Sequence, residues 1–401
     1  MLRFITAGES HGPALNVILE GLPAGLSLDF DAINFELRRR QGGYGRGARM
    51  KIEQDRVEVL GGLRSGQTTG GPISFIIHNK DWENWKDKIS PYAKPKDGES
   101  AELINPRPGH ADLAGALKYG IDDFRNILER ASARETAARV AAGAAAKQFL
   151  RHFDCDIRSH VIGIGAVNRA ADAPETSWEQ ILAIPEDTPL NCADPKLEKE
   201  MMAEIDRATK DRDAVGGVIE IVAHIPPAGL GSHIQWDRKL DGRLAQAILS
   251  IPAMKAMGFG RGVESAGLHG SALHDEIFYS AEEGLHRGSN NAGGLEGGVT
   301  NGQELRLKAY MKPLSSLRKP LRSVNIRTMK PVEAARVRSD VCAVPAAGVV
   351  GEAMVALGLA DAALDKFGGD SLTETVANYR AHEERVKQLL KERDAIKDAR
   401  A

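Results

Sequence analysis

Alternating apolar and polar positions, rich in β-branched residues, predict strands over residues 14–20, 50–60, 72–78, 156–167, 218–225 and 305–311. Each run is bounded by Gly, Pro or Asn. Helical spacing predicts helices over 31–40, 132–153, 195–213, 238–255, 347–367 and 371–400. Strands and helices mix without a strict βαβ rhythm, and the run 50–60 followed by 72–78 reads as an antiparallel pair. The expected fold class is therefore α+β, with helices packed between or against antiparallel sheets, and a doubly wound parallel sheet is disfavoured. Within 132–153 the run Ala137-Ala138-Arg139-Val140-Ala141-Ala142-Gly143-Ala144-Ala145-Ala146 presents small residues over several turns. Another helix or a sheet can approach such a surface closely. Ser132 with Glu135 three residues on predicts a capping box at its start. Residues 379–401 are dense in charge, with Glu383 and Lys387 at i,i+4 spacing, as in a solvated helix or tail. Both halves run from strands into helices, so a single domain over 1–401 accommodates two intertwined α/β halves.

Composition narrows the partners. Lys and Arg number 53 against 55 Asp and Glu, a net charge of −2, so the whole molecule has no electrostatic reason to seek nucleic acid or an anionic membrane. Any anion site is local. Forty-two glycines point to many loops with close backbone approach. Cys155, Cys192 and Cys342 are three and far apart, which supports neither a disulfide framework nor a zinc site and fits a reducing cytosol. No stretch approaches the ~18 apolar residues that span a bilayer, and no signal peptide pattern opens the chain. A soluble, cytoplasmic protein is expected.

Gly8-Glu9-Ser10-His11-Gly12 sets a histidine and a hydroxyl between glycines just before a strand. Such a turn brings backbone close to a ligand, and imidazole is the commonest acid or base near neutral pH; by itself the motif also suits a surface histidine. Arg107-Pro108-Gly109-His110-Ala111-Asp112 repeats the logic, with Arg and Asp able to tune and orient the imidazole. Five arginines, Arg38, Arg39, Arg40, Arg46 and Arg49, stand among glycines, a setting for phosphate or carboxylate. Residues 43–48 satisfy G-x-G-x-x-A, but they follow a helix instead of a strand, so the dinucleotide fingerprint fails its context. An RNA-binding RGG reading fails too, with one tyrosine for stacking in a neutral globular chain. Ser132-Ala133-Arg134 opens a helix whose N-terminus suits an anion or a cofactor edge. The Gly-rich run 288–298 and the loop Lys312-Pro313-Leu314-Ser315-Ser316 can cradle a phosphate, and the lack of Gly-Lys-Ser/Thr excludes a P-loop. Arg338-Ser339-Asp340 puts a guanidinium and a carboxylate at the entry to a helix.

In this order, together with Glu129-Arg130-Ala131-Ser132-Ala133-Arg134-Glu135, these motifs resemble the chorismate synthase family along the whole chain. The resemblance implies a helix-and-antiparallel-sheet sandwich, assembled as a homotetramer. It implies anti-1,4-elimination of phosphate from 5-enolpyruvylshikimate 3-phosphate to give chorismate, with reduced FMN (FMNH2) and no net redox change. By resemblance His11 protonates the departing phosphate, His110 protonates the reduced flavin, and Asp340 works with flavin N5 in removing the ring proton. Arg130, Ala131, Ser132, Gln246, Ala247, Gly297, Lys312, Pro313, Leu314, Ser315, Ser316 and Arg338 match FMN positions. Arg40 and Arg46 match positions assigned to NADP, yet charge favours a clamp on the trianionic substrate by these two with Arg49, Arg107 and Arg134. Ser10 becomes a positioning hydroxyl, since this elimination needs no covalent serine. NADPH is the candidate flavin reductant. Ser339, Val341 and Leu314 depart from the family's usual residues without removing a catalytic group. A net flavin oxidoreductase would use the same FMN loops, and a nucleic-acid module would rest on Arg38 to Arg49 alone.

Overall fold

The structure is a computed structural model that describes residues 1–47, 53–92, 101–169, 175–280, 284–336 and 340–398, with backbone alone beyond residue 388. Arg49, Arg338, Ser339 and the first residues of the predicted strand 50–60 lie outside the described residues. The first sheet runs in the order Arg3–Ala7, Ala14–Glu20, Ile73–His78, Glu58–Gly61, every neighbour antiparallel. Its period-two pattern does what the sequence requires: Leu15, Val17 and Leu19 are buried and pair directly with buried Ile77, Phe75 and Ile73. A second sheet takes Met254–Phe259, Leu305–Met311, Gly217–His224, Asp156–Ile164 and Val167–Asn168 in that order, again antiparallel.

Three helices fill the interior. Phe30–Gln41 and Thr136–Leu150 pack on each other, and the latter packs on Ala14–Glu20 and Ile73–His78 of the first sheet. Val344–Phe367 packs on Thr136–Leu150 and on the strands Asp156–Ile164 and Gly217–His224 of the second. The fold is thus a mixed α+β one with antiparallel sheets. The two central helices touch backbone to backbone: a Cβ on Gly143 would stand 2.3 Å from the Ala353 Cβ, so only glycine allows that crossing.

Several expectations need correction. Val344–Phe367 is 24 residues long with a mean hydropathy of 1.6 over its most apolar 18-residue window, long and apolar enough to cross a membrane, where no such stretch was expected from the sequence. It is a core helix, 89% buried over its most apolar window, and Glu352, which interrupts the apolar run, is neutralised inside the protein. The predicted helix 132–153 starts later, at Thr136, with short 3-10 turns at Ala133–Glu135 and Arg151–Phe153. Ser132 does cap through its hydroxyl, accepting from the Arg134 N–H, but Glu135 pairs with Arg139 instead of reaching back, so no capping box forms. The predicted helix 238–255 ends at Leu249 because Pro252 cannot continue it, and Met254–Phe259 becomes the edge strand. The strand Arg3–Ala7 and the helices Asp112–Tyr119 and Phe124–Ala131 were not expected from periodicity. Leu372–Asp398 is helical, and Tyr379 docks edge-on against Phe153 and Phe367 at 5.0 and 5.3 Å. Cys155, Cys192 and Cys342 are buried free thiols.

Candidate active site

The first hairpin turn carries His11. Gly8 has φ +106°, and a Cβ there would lie 2.4 Å from the Ala14 carbonyl oxygen, so the turn requires glycine. Asn79 holds the turn from beneath, its Nδ2 donating to the carbonyls of Gly12 (2.8 Å) and Glu9 (3.2 Å). Ser10 is buried, and its N–H donates to the Glu129 carbonyl at 3.0 Å. Glu129, near the end of Phe124–Ala131, meets His11 Nδ1 at 3.0 and 3.1 Å through its two oxygens and accepts the His11 backbone N–H at 2.8 Å. Burial pushes the Glu129 carboxyl up, but the hydrogen bonds and charge of His11, helped by Arg125, leave it below its ordinary value.

A second turn carries His110. Its Nδ1 lies 2.5 Å from Asp112 Oδ1 and 2.9 Å from Arg107 Nη2. One nitrogen cannot both donate and accept a proton at once, and the ionised Asp112 favours Nδ1–H as the donor. Arg107 braces that carboxylate with Nε at 2.8 Å and Nη2 at 3.0 Å, and its Nη1 donates to Ser316 Oγ at 2.7 Å. Lys312 Nζ donates to the Gly109 carbonyl at 3.0 Å, so the Lys312 to Ser316 loop and the His110 turn form one assembly. Asp340 receives Arg46 Nη1 at 2.8 Å and the Gly47 N–H at 2.6 Å.

Buried charges link these pieces. Arg134 donates from Nε to Asn79 Oδ1 (2.9 Å) and from Nη1 to both Asp55 oxygens (2.7 Å), while Arg40 Nη2 reaches Asp55 at 2.7 Å. Burial, then the Arg134 and Arg46 charges, bring the Arg40 guanidinium down to about 10 despite Asp55. Arg40 Nε and Arg134 Nη2 are buried without a hydrogen-bond partner among the described residues. The helix Asp112–Tyr119 packs on Phe124–Ala131 through Gly115 against Ile127, which joins the His110 turn to the helix that holds His11. Arg130 reaches back to Thr6 O (2.9 Å), Thr6 Oγ1 (2.6 Å) and Gly8 O (3.3 Å), and Ala131 and Ser132 follow at the helix end. Gln246 is exposed and Ala247 half-buried on Leu240–Leu249; the turn at Gly297 docks on the start of that helix, where the Leu240 N–H donates to the Gly298 carbonyl at 3.0 Å. Glu129, Asn79, Asp55 and Trp85 were not singled out from the sequence. The only signal was Glu129 itself, inside a motif read for its arginine and serine.

Asp112 makes the site acid-sensitive. Burial pushes its carboxyl up, yet the His110 and Arg107 contacts hold it well below the usual carboxylate range. A depressed carboxyl contributes stability that is full above its unfolded value, about pH 4, and is lost as pH falls toward its folded value. Asp112→Asn should therefore lose less stability than the wild type between about pH 5 and pH 3. Urea midpoints across that range test this, and parallel curves would count against it.

Two carboxylate-held imidazoles, an arginine-held carboxylate and buried guanidinium groups in a mixed α+β frame are the equipment of an enzyme acting on an anion. Residues 2–364 match the family model described as chorismate synthase. The chorismate synthase of Desulforudis audaxviator is 52% identical over 387 residues, covering 96% of this chain and 98% of that protein. That of Pelobacter propionicus is 53% identical over 396 residues, covering 97% and 100%. A crystal structure of chorismate synthase aligns with a TM-score of 0.76 at 41% identity, covering 96% of this chain and 98% of the other. The chain belongs to the chorismate synthase family, a family of lyases.

Proposed function

We propose that this enzyme eliminates phosphate from 5-enolpyruvylshikimate 3-phosphate to form chorismate in the shikimate pathway, with reduced FMN bound beside the substrate and no net redox change. The observation that carries this reading is a pair of buried guanidinium nitrogens with no hydrogen bond among the described residues, Arg40 Nε and Arg134 Nη2, the latter 3.8 Å from Glu53 Oε2, in the charge network beneath the His11 turn. Buried donors left unsatisfied cost stability, and an anionic substrate satisfies them. The residues also fit FMN. Gly109 has φ +78°, and a Cβ there would come 3.5 Å from Ser315 Cβ and 3.7 Å from Lys312 Nζ. The missing side chain keeps open a cradle edged by an ammonium and two serine hydroxyls, donors suited to a phosphate.

In this reading Arg130, Ala131, Ser132, Gln246, Ala247, Gly297, Lys312 to Ser316 and Arg338 hold FMN. Ser10, Arg40, Arg46, Arg49, Arg107 and Arg134 serve the substrate, with Arg40 and Arg46 as the alternative NADP positions. Bound by these residues, reduced FMN would supply reversible electron donation to the substrate. His11 gives the proton on Nε2 to the departing phosphate while Glu129 holds Nδ1. His110 holds a proton on the cofactor side, kept in one tautomer by Asp112. Asp340, held in place by Arg46 and the Gly47 N–H, takes part in removing the ring proton. The packing of the helices against both sheets supports a sheet–helix–sheet sandwich forming one domain. Exposed Ile234, Trp236, Ile277, Phe278 and Leu285 support self-association, in keeping with the homotetramer that the resemblance implies.

Under anaerobic conditions, phosphate and a diene-type ultraviolet absorber should appear with substoichiometric reduced FMN. Stoichiometric flavin oxidation would instead mark a net oxidoreductase and overturn this reading. Reduced flavin is supplied from outside the chain; turnover with oxidised FMN and NADPH alone would disprove that point.

A further inference from the structure

His11, Glu129, Arg125 and Trp85 form a closed circuit of four side chains. Glu129 meets Nδ1 as described, and Arg125, one helical turn earlier, reaches Glu129 Oε1 at 3.3 Å. The Arg125 guanidinium lies 5.1 Å above the centre of the Trp85 ring. Trp85 closes the circuit, its ring centre 4.2 Å from that of the imidazole at a tilt of 41°. The indole is itself fixed, donating its N–H to Asp81 Oδ2 at 3.1 Å. Glu129 is only 4% exposed, so water screens this arrangement little.

We propose that Glu129 and Trp85 are the positioning residues of His11: the carboxylate fixes a proton on Nδ1, the indole face fixes the ring plane, and Nε2 is thereby the nitrogen that exchanges a proton with the ligand. The inference deepens the proposed role of His11 and rests on it for its catalytic meaning. The charges on the circuit act in opposite senses. Glu129 favours the imidazolium, and Arg125 opposes it while sharing the carboxylate. The remaining charges nearby are Glu9 on the same turn, Asp81 and Lys88 around Trp85, and Arg130 on the helix of Glu129.

Tryptophan emission tests this without turnover, because a protonated imidazole against an indole quenches its fluorescence. Trp178, stacked on His224 at 4.7 Å, is a second indole set against an imidazole. The Trp85 component is therefore taken as the difference between each full-length protein and the same protein carrying Trp85→Phe. The expected result is an acid quench that disappears in His11→Gln and whose midpoint falls in Glu129→Gln. The midpoint should rise in Arg125→Gln and return toward the wild-type value in Glu129→Asp. Packing damage alone does not give shifts of opposite sign. A Trp85 component without pH dependence, or an unmoved midpoint in both Glu129→Gln and Arg125→Gln, overturns the proposal. Should Glu129→Gln fail to fold, the absence of an upward shift in Arg125→Gln does the same. Correct shifts in a protein that releases no phosphate would sink the proposed reaction and leave the circuit standing, and the converse result would sink the circuit alone.

Discussion

His11→Ala should lower turnover about 100- to 10,000-fold, the usual contribution of a positioned general acid, with the fold intact. The turn does not depend on the imidazole. Gly8 supplies its geometry, Asn79 grips the Gly12 and Glu9 carbonyls, and the Ser10 N–H holds the Glu129 carbonyl. Glu129, left without the ring, keeps Arg125 as a partner. Phosphate release under anaerobic, saturating conditions is the measurement, with the thermal midpoint as control. The deficit should fall on kcat, because the proton is needed as the C–O bond breaks and less when the ground state binds. Full activity in the variant would remove His11 from the mechanism.

The largest stability effect should come from Glu352, on the central apolar helix and fully buried. Its carboxylate accepts Arg39 Nη1 and Nη2 at 2.7 and 2.8 Å, Lys147 Nζ at 2.5 Å, and the Ser159 N–H and hydroxyl at 2.9 and 2.6 Å. One group thus joins all three central helices to the second sheet. Burial pushes this carboxyl up, but Arg39 and Lys147 more than reverse that and hold it ionised. Glu352→Ala leaves Arg39 and Lys147 sharing Glu36 alone, at 2.8 and 3.2 Å. Breaking a buried pair strands its partner charges, so unfolding free energy should fall by about 3–5 kcal/mol. Urea unfolding checks this, and a loss under about 1 kcal/mol, typical of a surface pair, would show that the network does not hold the layers together.

The sequence by itself determined the elements whose causes are local. Strands Ala14–Glu20 and Leu305–Met311 match their expected bounds because alternation at period two is written into each run. The Arg107, His110 and Asp112 cluster was legible because those residues lie within one turn of chain, and the His11 turn because Gly8 answers a backbone requirement. Tertiary structure decided the partnerships. His11 meets Glu129 from 118 positions away, and Arg46 meets Asp340 from still farther along the chain. Arg40 and Arg134, read as ligands for an anion, share Asp55 inside the protein, and each retains one nitrogen without a hydrogen bond among the described residues. Glu352 looks in sequence like a break in an apolar run and is in fact the best-partnered carboxylate of the core. The reason is physical. Periodicity and turn chemistry act over a few residues, whereas the role of a charge depends on which others are buried with it, and burial is settled only when the helices close on the sheets.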